Sequence, residues 1–319
     1  MREHALSRLL LLLAAAGLSL LLALALGSVA LNWGAAWRAD DGGIARSLLL
    51  ELRLPRALAA FAVGALLALS GSLMQVLLRN PLADPYILGV SGGAAVGGLS
   101  VIAAGAAGSL LPVGAFGGAF GSILLVFALA GGDRSHAQTR LLLTGVVIAA
   151  GWGAVTALLL ALSPDTQLRG MVFWLLGDLS AGGLPFLAVA TLGLALALTL
   201  PRAPALNVLA QGDLTAQALG VPVVSLRRLL YFVASGCAAM AVATAGTIGF
   251  VGLLAPHLAR LVLGNDQRIL LPGSALAGGA LLTLADTVAR SVIAPTQLPV
   301  GAVTALLGVP LFLYLLSRR

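Results

Sequence analysis

The sequence predicts an all-α integral membrane protein of about ten transmembrane helices, and three observations carry that prediction. Of its 319 residues, 60% are hydrophobic and only 9% are charged, and the mean hydropathy is +1.07, far from the balance of a soluble domain. Apolar runs of about 20 residues, the length that crosses a hydrocarbon core, recur along the whole chain. Forty glycines lie inside those runs rather than in linkers, which suits helices that approach closely in lipid, where small residues drive association.

Taken in order, the predicted spans are residues 9–31, 57–78, 86–111, 113–130, 141–162, 184–200, 229–248, 250–263, 271–294 and 300–316. The first follows Arg2 and Arg8 as a signal peptide would. It is about twice as long as the usual apolar core of such a peptide and lacks a small-residue cleavage site, so it is expected to stay as the first span. Several later spans are short or broken by Gly and Pro, which predicts interrupted or tilted helices. The whole chain, 1–319, reads as a single transmembrane domain.

Charge sets the expected orientation. All 18 basic residues are Arg. With the N-terminus inside and an even number of spans, twelve of them fall on the cytoplasmic side, as the positive-inside rule requires. The exceptions are Arg38, Arg46, Arg53, Arg56, Arg169 and Arg290, whose outside placement needs another reason.

Composition also excludes functions. Without a Lys the chain has no Walker A phosphate loop. The net charge of +7 comes from scattered arginines that form no basic stripe, which argues against nucleic-acid binding. Cys237 stands alone, and His4, His136 and His257 are far apart and outside any HExxH pattern, so neither a bound metal nor another cofactor is expected. No Ser–His pair, Asp pair or metal cluster recurs at a workable helical spacing, so an intramembrane enzyme has little footing.

Three glycine pairs carry GxxxG spacing: Gly93 with Gly97, Gly114 with Gly118, and Gly117 with Gly121. Each is read as close helix packing. The longest polar stretch among the later spans, Pro201 to Arg228, contains a helix-start signal at Gln211-Gly212-Asp213 and a stop at Leu219-Gly220-Val221-Pro222, so it reads as short helices in a loop of about 205–228. A merely solvated connector fits the composition equally well.

Motifs then extend the reading. Leu52-Arg53-Leu54-Pro55-Arg56, Arg79-Asn80-Pro81-Leu82-Ala83-Asp84-Pro85 and Gly89-Val90-Ser91-Gly92-Gly93 resemble the FecCD-type permeases for ferric siderophores, haem and cobalamin. The similarity continues through Gly246-Thr247-Ile248-Gly249-Phe250, Pro256-His257 with Arg260, Leu271-Pro272-Gly273, Ala285-Asp286-Thr287-Val288-Ala289-Arg290, Leu298-Pro299-Val300-Gly301 and Gly308-Val309-Pro310.

This resemblance implies the type II importer permease fold in the bacterial inner membrane, with both termini cytoplasmic. It implies a homodimer with the path between subunits, two separate ATPase subunits beneath, a periplasmic binding protein above, and no chemistry in this chain itself. It implies that Arg53, Arg56 and Arg290 receive acidic groups of the binding protein, for which guanidinium is suited by bidentate pairing; snorkelling to lipid headgroups is the alternative. It implies that Gly212, Asp213, Ala216, Leu219 and Gly220 belong to helices that couple to the ATPase. It places a cytoplasmic gate at Gln138 and Thr139, where an ordinary turn is the competing account, and a path lined by the fifth and tenth spans, including Thr144 to Thr156.

Asp286 and Arg290 stand four residues apart, a spacing that lets carboxylate and guanidinium pair within the membrane. An ionisable residue in a span is also a functional candidate by default. The alternative reading is therefore a proton-coupled secondary transporter using Asp286. The cargo itself is not legible in the sequence.

Overall fold

The computed structural model describes residues 2–29, 42–106, 108–130, 137–180 and 185–317. Its elements are α1 (Arg2–Ala25), α2 (Leu54–Leu77), α3 (Val90–Ala103), α4 (Leu110–Ala130), α5 (Ala137–Leu162), α6 (Asp165–Leu175), α7 (Pro185–Thr199), α8 (Ala203–Gln211), α9 (Asp213–Ala218), α10 (Val223–Ala245), α11 (Val251–Leu263), α12 (Gln267–Ser291) and α13 (Val300–Ser317). A helical turn Gly42–Ser47 and a π-helical stretch Leu48–Arg53 run without a break into α2.

Among the described residues, seven helices are long and apolar enough to span a membrane, and three shorter apolar helices join them, ten in all. The three are the segments over α3, α11 and α13. At 1.5 Å per residue, the 14 residues of α3 reach about 21 Å, short of the roughly 30 Å of a hydrocarbon core. Before α3, Asp84 caps a 3₁₀ turn at Pro85–Leu88 by accepting from the Tyr86 N–H at 2.8 Å, and Gly89 turns the chain at φ 72°, where a Cβ is disfavoured.

The centre of the bundle is α2. Within its segment 89% of the most apolar window is buried by the rest of the chain, against 6% for α5. Glycines make that burial possible. A Cβ at Gly64 would lie 2.2 Å from the Gly278 carbonyl oxygen of α12, and one at Gly71 would lie 1.8 Å from that of Gly252 in α11. Buried hydroxyls add cross-links, as where Ser70 Oγ donates to the Ala234 carbonyl at 2.6 Å, satisfying a group that lipid would leave unpaired.

The GxxxG pairs divide. Gly97 faces Gly114 and Gly93 faces Gly118; a methyl added at Gly97 or Gly93 would lie 2.1 Å or 2.4 Å from the opposite carbonyl oxygen, so α3 and α4 touch backbone to backbone. Gly117 and Gly121 have open space at their Cβ positions. That pair lies on the other side of α4 and meets no packing partner among the described residues, which departs from the expectation that every pair marks a helix contact.

Candidate functional site

The helices carry charge to two opposite ends of the bundle. Arg56 and Arg79 bracket α2, and 23 residues of helix put them about 35 Å apart. The first end gathers the start of α2, the end of α1 and the end of α12; the second gathers the end of α2, α8, α9 and the start of α12.

At the first end, Asp286 is 1% exposed and lies between two guanidiniums. Arg56 Nε donates to both of its carboxylate oxygens at 3.1 Å, and Nη2 donates to Oδ1 at 2.8 Å. Arg56 Nη1 reaches Gln297 Oε1 at 2.7 Å. Arg290 Nε stands 3.6 Å from Asp286 Oδ2, four residues along the same helix. The stronger partner of Asp286 is thus Arg56, 230 residues away in sequence, rather than the local Arg290.

Arg53 and Arg290 serve the end of α1. A helix leaves its last carbonyls without partners, and cations there also meet the negative end of the helix dipole. Arg53 Nη1 donates to the carbonyls of Leu24 at 2.7 Å and Ala25 at 3.0 Å, and its Nη2 to that of Val29. Arg290 Nη2 donates to the Ala23 carbonyl. Both arginines are therefore buried, at 6% and 5% exposure, which differs from the outward-facing cations the resemblance implies. The physical reason is the nearness of α1: its unpaired carbonyls compete for the same donors. Arg56, with 15% of its side chain accessible, is the most open of the three.

At the second end, the loop between α7 and α10 folds into α8 and α9. Gly212 at φ 132° and Gly220 at φ 75° close the two turns that bound α9. Asp213 pairs with Arg227 of α10 at 2.8 Å, tying α9 to a spanning helix, while Ala216 is fully buried beneath it. Leu214 and Leu219, 84% and 66% exposed, point apolar side chains away from the chain. The gate segment is only partly described: residues 131–136 and the side chain of Gln138 lie outside the described residues, as does Arg38, and Thr139 is exposed near the start of α5.

Ten apolar helices with their ion pairs at the two ends define a multi-pass membrane protein. Comparison with known proteins makes this specific: the chain belongs to the FecCD transport family, whose model matches residues 11–318. It is 44% identical over 279 residues to the cobalamin import system permease protein BtuC of Halobacterium salinarum, covering 84% of this chain and 73% of that protein. It is 41% identical over 320 residues to the hemin transport system permease protein HmuU of Yersinia pestis, covering 95% and 94%. The fold superposes on a metal-chelate type ABC transporter in an inward-facing conformation with a TM-score of 0.86 and 32% identity, covering 99% of this chain and all of that one.

Proposed function

We propose that this chain is the membrane-spanning subunit of an ATP-binding-cassette importer that moves cobalamin, haem or a ferric siderophore across the bacterial inner membrane by alternating access. The observation that carries the reading is the match of residues 11–318 to a transport family, joined to relatives named for cobalamin and hemin import. Two ATPase subunits dock at the Asp213 end, which is cytoplasmic along with both termini. The exposed Leu214 and Leu219 on and beside α9 supply the contact, and the Asp213–Arg227 pair passes a nucleotide-driven movement into α10. A rigid short helix transmits such a movement where a loose linker absorbs it.

A periplasmic binding protein docks at the Asp286 end, where Arg56 is the accessible cation and Arg53 and Arg290 act behind it by holding the end of α1. A second copy of the chain covers α5, whose surface is left almost bare, and the path for cargo runs between the two copies along α5 and α13. An apolar, weakly binding lining suits cargo that must be released, with Gln138 and Thr139 at its cytoplasmic end. This subunit performs no covalent chemistry.

In cells carrying the full system, collapsing the proton gradient while ATP is maintained is expected to leave uptake of radiolabelled cobalamin, haem or ferric siderophore unchanged. Uptake that stops with the gradient favours instead a proton-coupled transporter built on Asp286.

A further inference from the structure

The middle of α5 rests on the corner between α2 and α3, formed by the 3₁₀ turn Pro85–Leu88 and Gly89. Gly145, Ala149 and Trp152 stand at helical spacing on one face of α5, and each meets that corner or the first turn of α3. A Cβ at Gly145 would lie 2.6 Å from the Ile87 carbonyl oxygen, one at Gly89 would lie 3.4 Å from the Ala149 nitrogen, and one at Gly92 would lie 2.7 Å from the Trp152 Cβ. Side chains make the ridges that lock one helix against another. Glycines on both sides of this contact remove them, so its shape alone does little to stop α5 from turning or sliding.

One directional bond supplies what the shape lacks. Trp152 Nε1 donates to Ser122 Oγ of α4 at 2.9 Å, and the same hydroxyl, fully buried, donates to the Gly89 carbonyl at 2.9 Å. A hydroxyl gives one hydrogen bond and can accept two, so Ser122 joins α4, α5 and the corner at one atom. Among the described residues, α5 sends one other side-chain hydrogen bond to the rest of the chain, from Arg140 in its exposed first turn to the Leu129 carbonyl at 3.3 Å. The corner is held from its far side as well. The Pro85 ring lies against Gly252 of α11, where an added Cβ would come within 2.8 Å, and the Tyr86 hydroxyl accepts from the Ile248 N–H at 3.3 Å. A tied corner beneath a helix whose most apolar window is 6% buried makes α5 the part free to move and the corner its seat.

We propose that Ser122 and Trp152 are positioning residues of the transport cycle: their hydrogen bond sets the rotation and depth of α5 on the Pro85–Gly89 corner, and with them the shape of the path. The proposal rests on the reading that α5 lines the path. Halfway along a spanning helix little water competes for the indole N–H, so the bond keeps one register of α5 preferred.

The test uses the complete transporter, this chain with its ATPase subunits and binding protein, in proteoliposomes for transport and in nanodiscs for distances. Trp152→Phe keeps an aromatic ring and removes the N–H; Ser122→Ala removes the hydroxyl from the other side. Tyr231→Phe is the control, because it deletes a buried hydrogen bond to the next residue of α4, from the Tyr231 hydroxyl to the Ile123 carbonyl at 2.7 Å, and leaves the Trp152 bond in place. The readouts are ATP hydrolysed per cargo molecule moved, and the spread of distances between spin labels at the exposed positions Leu143→Cys on α5 and Leu261→Cys on α11, in a Cys237→Ala chain diluted with unlabelled chain. Losing one neutral hydrogen bond shifts an equilibrium by roughly two- to tenfold. ATP used per cargo is therefore expected to rise by about that factor, and the distances to spread, in Trp152→Phe and in Ser122→Ala, with the double variant no worse than either and Tyr231→Phe like wild type. Wild-type values of either readout in both single variants, an equal effect of Tyr231→Phe, or effects that add in the double variant overturn the proposal. A wild-type transporter that moves no cargo contradicts the proposed function instead, and the spread of distances then decides by itself whether the bond holds α5.

Discussion

Gly97→Ala should separate α3 from α4, and the structure gives the size of the effect. The new methyl would lie 2.1 Å from the Gly114 carbonyl oxygen, whereas an ordinary carbon–oxygen contact is about 3.4 Å, so the backbones must part by roughly 1.3 Å or distort. No flexible side-chain tip can yield, because the obstacle is backbone. Overpacking of this kind costs about 1–3 kcal/mol, and parting the helices also weakens the neighbouring contact of Gly93 with Gly118. Gly117→Ala is the matched control: same helix pair, same chemistry, and open space at its Cβ. The assay is the denaturant midpoint of the detergent-solubilised chain. A lowered midpoint for Gly97→Ala beside an unchanged or slightly raised one for Gly117→Ala is expected, since Ala is the better helix former. Equal midpoints would refute the inference that these backbones meet.

Asp286→Ala leaves two buried guanidiniums facing each other, and should lower stability by about 3–5 kcal/mol; pairing it with Arg56→Met should recover part of that loss in the same denaturant assay. Packing a bulky side chain into the buried site of Ala216, as in Ala216→Trp, should dislodge α9 and lower transport-coupled ATP hydrolysis while the chain still inserts and melts near the wild-type temperature. Arg56→Glu should weaken binding-protein capture, measured by surface plasmon resonance, with less loss of fold than Arg53→Glu, which would set a carboxylate against the carbonyls of Leu24, Ala25 and Val29. The hydrogen bond from Asn207, helped by the Arg268 N–H and guanidinium against some burial, holds the Asp266 carboxyl below its ordinary value. A depressed carboxyl pKa means the folded state favours the ionised form, so this group's contribution is present above the unfolded value of about 3.9 and is lost as pH falls below it. Asp266→Asn should flatten that acid limb of the melting-temperature profile.

The spans were legible because hydropathy depends on local composition alone: every predicted run contains or overlaps an observed helix, with limits shifted by up to eight residues, as where the run 86–111 becomes Val90–Ala103. The short helices of the 201–228 stretch were legible too, since caps and stops are local signals. Facing was harder. Gly93, Gly97, Gly114 and Gly118 share one signature with Gly117 and Gly121, and only the approach of α3 decides which of them meet backbone.

The Asp286 end shows the same limit more sharply. Its local spacing pointed to Arg290, yet Arg56 makes the short bidentate contact, through a 230-residue separation that no periodicity encodes. One signal was available: a carboxylate in a span needs a partner, and Pro55 at the start of α2 places Arg56 at the matching depth. The role of Arg53 had no such signal, because it depends on where the carbonyls at the end of α1 fall.

The claim on which the rest depends is that this polypeptide moves cargo only with the help of ATPase subunits gripping the Asp213 end. It is tested most directly in proteoliposomes that hold the chain alone, or the chain with its ATPase subunits, each given binding protein loaded with radiolabelled cobalamin, haem or ferric siderophore on the outside and ATP within. Accumulation above the outside concentration in the complete vesicles, and none with the chain alone or with Ala216→Trp, is the predicted result. Uphill accumulation by the chain alone would contradict it.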